Sequence, residues 1–293
     1  MKRMKIKLDC PYDFMDKELI STLDLSDNPE CLIVNPGTDK FLDKNYFSKY
    51  KNLKVVGTPS TGVNHIDKDY LESMGIELHY LLEDRKFLNS IHASAEFTWL
   101  HIMNAVRKFD LAIRNVDMWR DDVNESLLRS NELHGKKLGI IGYGRIGRKI
   151  SKYAKVFGLD VKFYDPYVKN SCDSIEDLSD CDIVSINCYL TDETKNMISW
   201  GIFDSFKDNL IVINTSRGEV VDEKYIAHLV MNYNIFYSCD VLNNEQDLNT
   251  LKTSYLFNMV DDFDNLVITP HVAGATKESQ QKALESILKL CIK

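Results

Sequence analysis

Three residues stand out for what their types and order could do together. Arg217 lies in Asn-Thr-Ser-Arg-Gly-Glu-Val-Val-Asp (214–222), Glu245 ends Asp-Val-Leu-Asn-Asn-Glu (240–245), and His271 sits in Thr-Pro-His-Val-Ala-Gly-Ala (269–275). Each segment follows a short apolar run of strand type, so all three leave the carboxyl edge of one sheet and could converge there. An Arg binds a carboxylate in bidentate fashion and polarises a neighbouring carbonyl. A His, with an ordinary pKa of about 6.5, can give a proton to an oxygen as hydride reaches its carbon. A Glu beside it stabilises the imidazolium and raises that pKa. Taken singly, each has a plainer reading: a loop His after Pro, a solvated loop Glu, a turn Arg before Gly. Three on successive strand ends of one sheet favour the chemical reading.

The sheet that would position them begins at residues 136–165. Lys-Lys-Leu-Gly-Ile-Ile-Gly-Tyr-Gly-Arg-Ile-Gly-Arg is followed by a helical run and then Asp-Val-Lys-Phe-Tyr-Asp. Residues 138–141 read as a buried strand, and Gly142, Gly144 and Gly147 as the G-x-G-x-x-G turn that opens a helix. Those glycines supply a tight turn, room for backbone to approach a pyrophosphate, and close helix–strand packing. The helix N-terminus offers free N–H groups and a positive dipole end to phosphates. A second strand over 161–164 ends at Asp165, about 20 residues on, where an acid accepts the ribose hydroxyls of NAD and disfavours NADP.

The bulk numbers suit this reading. At 293 residues the chain is long enough for two domains, and 44% hydrophobic with 27% charged residues is ordinary globular composition. A net charge of −8 disfavours a nucleic-acid surface. No run approaches the ~18 apolar residues of a membrane span, and residues 1–8 read as a strand, not a signal peptide. Seven scattered cysteines without a C-x-x-C pair suit a reducing cytoplasm. No metal is expected: the histidines lack ligand spacing, and His92 with Glu96 reads as a helix-face pair.

Strands are expected over 6–8, 31–34, 54–56 and 76–80, with short helices at 18–23 and 46–50 between them. After a linking helix over 91–110 and a polar segment over 117–132, further strands fall at 182–187, 210–214, 236–240 and 266–269. Helices are expected over 222–233 and 277–290. Alternation of this kind predicts an α/β chain of two Rossmann-like or flavodoxin-like domains with parallel sheets and a cleft between them. The expected division is 1–90 plus 275–293 for a substrate domain and 91–274 for a nucleotide-binding domain. The Thr-Pro-Ser-Thr-Gly-Val-Asn-His-Ile-Asp loop (58–67) leaves the third strand at its carboxyl end, where ligands bind in such sheets.

From the 60–67 loop to Thr276, these motifs resemble the D-isomer-specific 2-hydroxyacid dehydrogenases. The resemblance implies an NAD-dependent oxidoreductase interconverting a 2-keto acid and a D-2-hydroxy acid. It makes Arg217 the substrate-binding Arg, His271 the general acid/base and Glu245 its partner. It implies that backbone amides around Ser60, Thr61, Gly62 and Val63 hold the substrate carboxylate. For the cofactor it implies Thr61, Arg145, Ile146, Asp165, Cys188, Thr215, Ser216, Arg217, Asp240 (facing the nicotinamide carboxamide) and 271–274, including Gly274. It further implies a homodimer; the length of 91–132 and its exposed-looking Met118 and Trp119 point to that segment as the interface.

Some positions depart from the family. Gln246 replaces a frequent Pro, and Asn187 and Tyr189 replace a common His and Pro on the cofactor side. Asn35 and Thr58 stand where phosphoglycerate-handling members carry basic residues, which argues against 3-phosphoglycerate. No appended regulatory domain is expected after the last helix. Residues 81–90 form a connection longer and more charged than usual. It reads either as a solvated loop or as a cleft edge where Arg85 or Lys86 meets a distal anion. Two other functions share the fold: a formate- or phosphite-type dehydrogenase, the former placing Gln where Glu245 stands, and an NAD-sensing, corepressor-like scaffold.

Overall fold

The computed structural model describes residues 4–35, 37, 40–119, 125–245 and 248–292. The chain divides into two compact units, Met1–Ala93 with Gly274–Lys293, and Ser94–Ala273.

The first unit is a parallel sheet of β1 (Lys5–Asp9), β2 (Asp24–Leu25), β3 (Cys31–Val34), β4 (Val55–Thr58) and β5 (Glu77–Tyr80), in the order β2-β1-β3-β4-β5. β3 and β4 are buried along their whole length, as apolar runs covered on both faces of a parallel sheet must be. Ile6, Cys31, Ile33 and Val55 pack with Ala283, Leu284, Ile287 and Leu288 of the helix Lys277–Cys291. Leu32, Val34 and Val56 pack with Phe47 and Leu71 from the helices Lys44–Phe47 and Lys68–Ser73. The stretch after β5 is not an open loop. It forms a 3-10 turn Leu81–Glu83 and a helical turn Arg85–Leu88, because Leu81 and Leu88 are buried in the core that holds the last helix. The Asp84 side chain caps the second turn, accepting from the Phe87 amide at 2.9 Å.

The second unit is a parallel sheet of β6 (Lys137–Ile141), β7 (Asp160–Tyr164), β8 (Ile183–Ile186), β9 (Ile211–Asn214), β10 (Phe236–Cys239) and β11 (Leu266–Ile268), in the order β11-β10-β9-β8-β6-β7. Ala95, Trp99, Ile102 and Val106 of the helix Ala93–Arg107 join Ile150 and Ala154 of the helix Arg145–Val156 against Leu138, Ile140, Ile183 and Ile213. The opposite face packs on Tyr225, Ile226, Leu229 and Val230 of the helix Glu223–Asn232. The linking helix expected over 91–110 is broken. It stops at Arg107, Lys108 turns left-handed at φ 50, and a second helix Phe109–Arg114 begins, its Asp110 amide donating to Asn104 Oδ1 at 2.8 Å. Among the described residues, no helix is long and apolar enough to cross a membrane.

Candidate active site

The glycine turn stands where the strand order reverses. β6 and β8 are neighbours while β7 lies outside β6, so the carboxyl ends of β6 and β8 form a topological switch point. Gly142 leaves β6 at φ +88, and a Cβ there would lie 2.7 Å from the Cys188 nitrogen. A Cβ on Gly147 would lie 2.3 Å from the Gly142 oxygen, so helix and turn touch backbone to backbone. A Cβ on Gly144 would meet nothing within 4 Å. The middle glycine therefore borders free space at the N-terminus of the helix Arg145–Val156, and the positive end of a helix favours an anion. That combination fits a dinucleotide pyrophosphate.

Asp165 follows β7. Its Oδ2 accepts the Tyr143 amide of the glycine turn at 2.8 Å, and its Oδ1 accepts the Tyr167 amide at 3.0 Å. A carboxylate offers about four acceptor positions, so two remain for ribose hydroxyls. Arg145 and Ile146 open the helix and are half-buried. Cys188 is a wall residue whose thiol is pushed up to about 12 by burial, so it stays neutral. Asn187 bonds its own turn through Nδ2, to the Ser185 oxygens. Gln246 lies outside the described residues.

Arg217, Glu245 and His271 do come from successive strand ends. A Cβ on Gly218 would lie 2.1 Å from the Leu242 carbonyl carbon, so the segment of Arg217 is pressed against that of Glu245. Glu245 Oε2 accepts the Leu242 amide at 2.9 Å, while Oε1 lies 2.5 Å from His271 Nδ1. This bond raises the His271 pKa; burial and the Arg217 charge oppose it, and Asp240 adds to it. His271 has φ +53, a left-handed conformation uncommon for a side-chain-bearing residue. The Arg217 guanidinium donates from Nη1 to the Ser216 oxygen at 2.6 Å, and among the described residues the rest of its five-donor fork is left for a ligand.

Several expected cofactor residues have work inside the unit. The Thr215 hydroxyl lies 2.6 Å from that of Thr98, which itself donates to the Ser94 oxygen, so Thr215 ties its strand end to the helix Ala93–Arg107. The Ser216 amide and hydroxyl both donate to Asn214 Oδ1. Asp240 is fully buried and accepts from Thr269 Oγ1 at 2.5 Å, the Val272 amide at 3.0 Å and the Ala273 amide at 2.7 Å. Gly274 begins the second stretch of the first unit, its oxygen accepting from Ser279 Oγ at the start of the last helix.

In the first unit, the hydroxyl of Ser60 donates to the Gly62 oxygen at 2.5 Å, folding 60–63 into a tight loop after β4. The amides of Ser60, Thr61, Gly62 and Val63 donate to no acceptor among the described residues. Successive free amides in a turn make an anion-binding concavity. Thr58 is fully buried, with its hydroxyl 3.2 Å from Ser60 Oγ and 3.4 Å from His65 Nε2. Burial pushes the His65 pKa down to about 4, so the ring is neutral.

Sequence reasoning missed Asn214 and Glu223. Asn214 Nδ2 also donates to the Arg217 oxygen at 3.0 Å, closing the turn that presents the guanidinium. Glu223 is buried and accepts from the Asn243 amide and Ser254 Oγ, steadying the loop that carries Glu245. A polar residue ending an apolar run, as Asn214 does after Ile211-Val212-Ile213, is a readable signal; Glu223 at a helix start looks like any first-turn acid.

The family model described as "D-isomer specific 2-hydroxyacid dehydrogenase, NAD binding domain" matches residues 99–273. The chain is 32% identical over 253 residues to D-3-phosphoglycerate dehydrogenase 1 of Saccharomyces cerevisiae, covering 82% of this chain and 52% of that one. It is 29% identical over 242 residues to the hydroxypyruvate reductase of Thermotoga maritima, covering 79% and 74%. The chain spans about half the length of the phosphoglycerate dehydrogenases it matches. A crystal structure of D-lactate dehydrogenase from Aquifex aeolicus, complexed with NAD and lactic acid, superposes with a TM-score of 0.76. It is 25% identical and the match covers 98% of this chain and 95% of that one. The glycine turn, the acid after β7 and the Arg, Glu and His strand ends all lie within the matched residues, and the chain belongs to the D-isomer-specific 2-hydroxyacid dehydrogenase family, its second unit being that family's NAD-binding domain.

Proposed function

We propose that the protein interconverts a 2-keto acid and a D-2-hydroxy acid, with NAD as the redox partner. The observation that carries this reading is the 2.5 Å contact of His271 Nδ1 with Glu245 beside Arg217. NADH, when bound, supplies the hydride for reduction. With Nδ1 given to Glu245, Nε2 is the atom left to hand a proton to the substrate carbonyl oxygen. Glu245 keeps the imidazole protonated until that step and orients the ring. Arg217 binds the substrate and polarises its carbonyl. In the first unit, the free amides of 60–63 are the proposed seat for the substrate carboxylate. Oxidation of NADH with a panel of 2-keto acids tests the reading. His271→Ala should lose on the order of 10²–10⁴ in rate; no turnover with any 2-keto acid would count against it.

We further read the protein as a cytoplasmic homodimer. Its seven cysteines are free thiols, in keeping with a reducing compartment. Within 91–132, Phe109, Ile113, Val116 and Trp119 are exposed at 59, 60, 67 and 78%, apolar surface of the kind a second copy covers; residues 120–124 lie outside the described residues.

A further inference from the structure

His101 takes no part in the function proposed so far, yet it is buried beneath the loop that carries His271. It lies on the helix Ala93–Arg107 and is 3% exposed. Its Nδ1 is 2.6 Å from Ser238 Oγ on β10, and its Nε2 is 3.2 Å from Thr269 Oγ1 just beyond β11. A ring nitrogen can donate or accept, so the direction of each bond has to be derived from the protons available.

Thr269 has one hydroxyl hydrogen. Its oxygen lies 2.5 Å from Asp240 Oδ1, which also accepts the Val272 amide, so the hydrogen goes to Asp240. The Thr269 oxygen must then accept from His101 Nε2–H. In a neutral imidazole the other nitrogen accepts, so Nδ1 receives the Ser238 hydrogen. Burial holds the ring neutral, lowering its pKa against an opposing pull from Asp240. The bonds therefore run one way, from Ser238 to His101 to Thr269 to Asp240. Asp240 in turn receives the amides of Val272 and Ala273. His271 lies between Thr269 and Val272, held at φ +53 by contacts of one carboxylate on both sides.

We propose that His101 is a positioning residue for the proton donor: an Nε2-protonated imidazole that fixes Thr269 and Asp240, and through them the backbone of His271. The proposal rests on the reading of His271 as general acid. The competing view is a satisfied core histidine that contributes to stability alone. The charged groups around His271 are Glu245, Arg217 and Asp240, and around His101 it is Asp240. Loosening the Thr269 anchor should let His271 drift from Glu245, lowering both rate and the pKa that Glu245 sustains.

The test compares His101→Leu, which removes both bonds, with His101→Gln, which keeps an N–H directed at Thr269. His101→Leu should lower kcat for keto-acid reduction roughly 10- to 100-fold, the scale of an ångström of misplacement. It should also shift the alkaline limb of the pH–rate profile to lower pH, while His101→Gln recovers most of both. A fall in Tm with kcat and the pH profile unchanged would overturn the proposal. If His101→Leu does not fold, Thr269→Val should give the same downward shift of the limb, and an unshifted limb overturns it. Independently of turnover, the nitrogen spectrum of histidine-labelled protein should show His101 as the neutral Nε2–H tautomer. The Nδ1–H tautomer would sink the proposal even if the enzyme is active. Absence of any keto-acid turnover in the wild type would instead strike the functional reading, with the tautomer still readable.

Discussion

The Glu245 carboxylate spans two partners, with Oε1 2.5 Å from His271 Nδ1 and Oε2 2.9 Å from the Leu242 amide. It is thereby fixed before any ligand arrives, and it raises the His271 pKa above the ordinary value of about 6.5. The acid form persists to higher pH, so keto-acid reduction should fall only as pH passes the raised value. Glu245→Gln removes the negative charge and should move the alkaline limb to lower pH. The same pair contributes stability that is full below about pH 6.5 and fades as pH rises through the raised pKa. Unfolding midpoints of wild type and Glu245→Gln should therefore differ most on the acid side of that window. An unmoved pH–rate limb removes Glu245 from the mechanism.

What could be read from the sequence was what one local segment decides. The central strands β3, β8 and β9 are mostly apolar runs, and the tight approaches at Gly142 and Gly147 leave no room for another residue type. β2, two exposed residues long, carries no such pattern. The break at Lys108 depends on a side-chain acceptor, Asn104, that caps the restarted helix. In 81–90 the charges concealed two leucine anchors. The Thr215–Thr98 contact joins residues 117 apart, and the Asp240 contacts reach 29 to 33 residues, distances over which periodicity says nothing. The types of Arg217, Glu245 and His271 were legible; the neighbours that orient them were not.

The three glycines of the turn should separate by mechanism. Gly147→Ala forces a Cβ to 2.3 Å from the Gly142 oxygen and should cost roughly 1–3 kcal/mol as overpacking. Gly144→Ala meets open space and should cost less than about 1 kcal/mol, as a change at a helix N-cap. Its effect should fall on the KM for NADH, because the added methyl occupies the phosphate approach. Equal losses of Tm in the two variants would contradict this account of the cradle.

Asp165 anchors the Tyr143 amide, and we expect it also to select the ribose. Asp165→Ala should reduce the preference for NADH over NADPH by roughly 10- to 100-fold, the worth of hydrogen bonds to a charged group. It should also raise the KM for both cofactors, since the glycine turn loses its tether. Comparable kcat/KM for NADPH and NADH in the wild type would remove Asp165 as the selector.

The exposed Phe109, Ile113, Val116 and Trp119 predict self-association. Light scattering at micromolar concentration should give a dimer, and Trp119→Lys together with Ile113→Lys should give a folded monomer. A wild-type monomer contradicts the reading directly.

The substrate is where the family likeness and the residues pull apart. Several of the relatives are named D-3-phosphoglycerate dehydrogenases. The first unit offers little for a phosphate at the ends of β3 and β4. Asn35 is neutral, with its side chain accepting the Gly37 amide at 3.0 Å. Thr58 is buried against Ser60 and His65, and His65 is neutral because burial pushes its pKa down to about 4. None of Asn35, Thr58 and His65 offers a positive charge to a phosphate dianion placed against them, and desolvating such an anion without a cation is costly. We therefore expect kcat/KM for glyoxylate or hydroxypyruvate to exceed that for 3-phosphohydroxypyruvate by at least about tenfold, the worth of one missing charged hydrogen bond. The helical turn Arg85–Leu88 is one place from which a cation could come, and its Lys86 is exposed. Arg85→Ala and Lys86→Ala should leave glyoxylate kinetics unchanged. If the phosphorylated keto acid proves the better substrate, the same variants decide where its phosphate sits. A raised KM confined to that substrate assigns the turn as the anion site, and an unchanged KM excludes it.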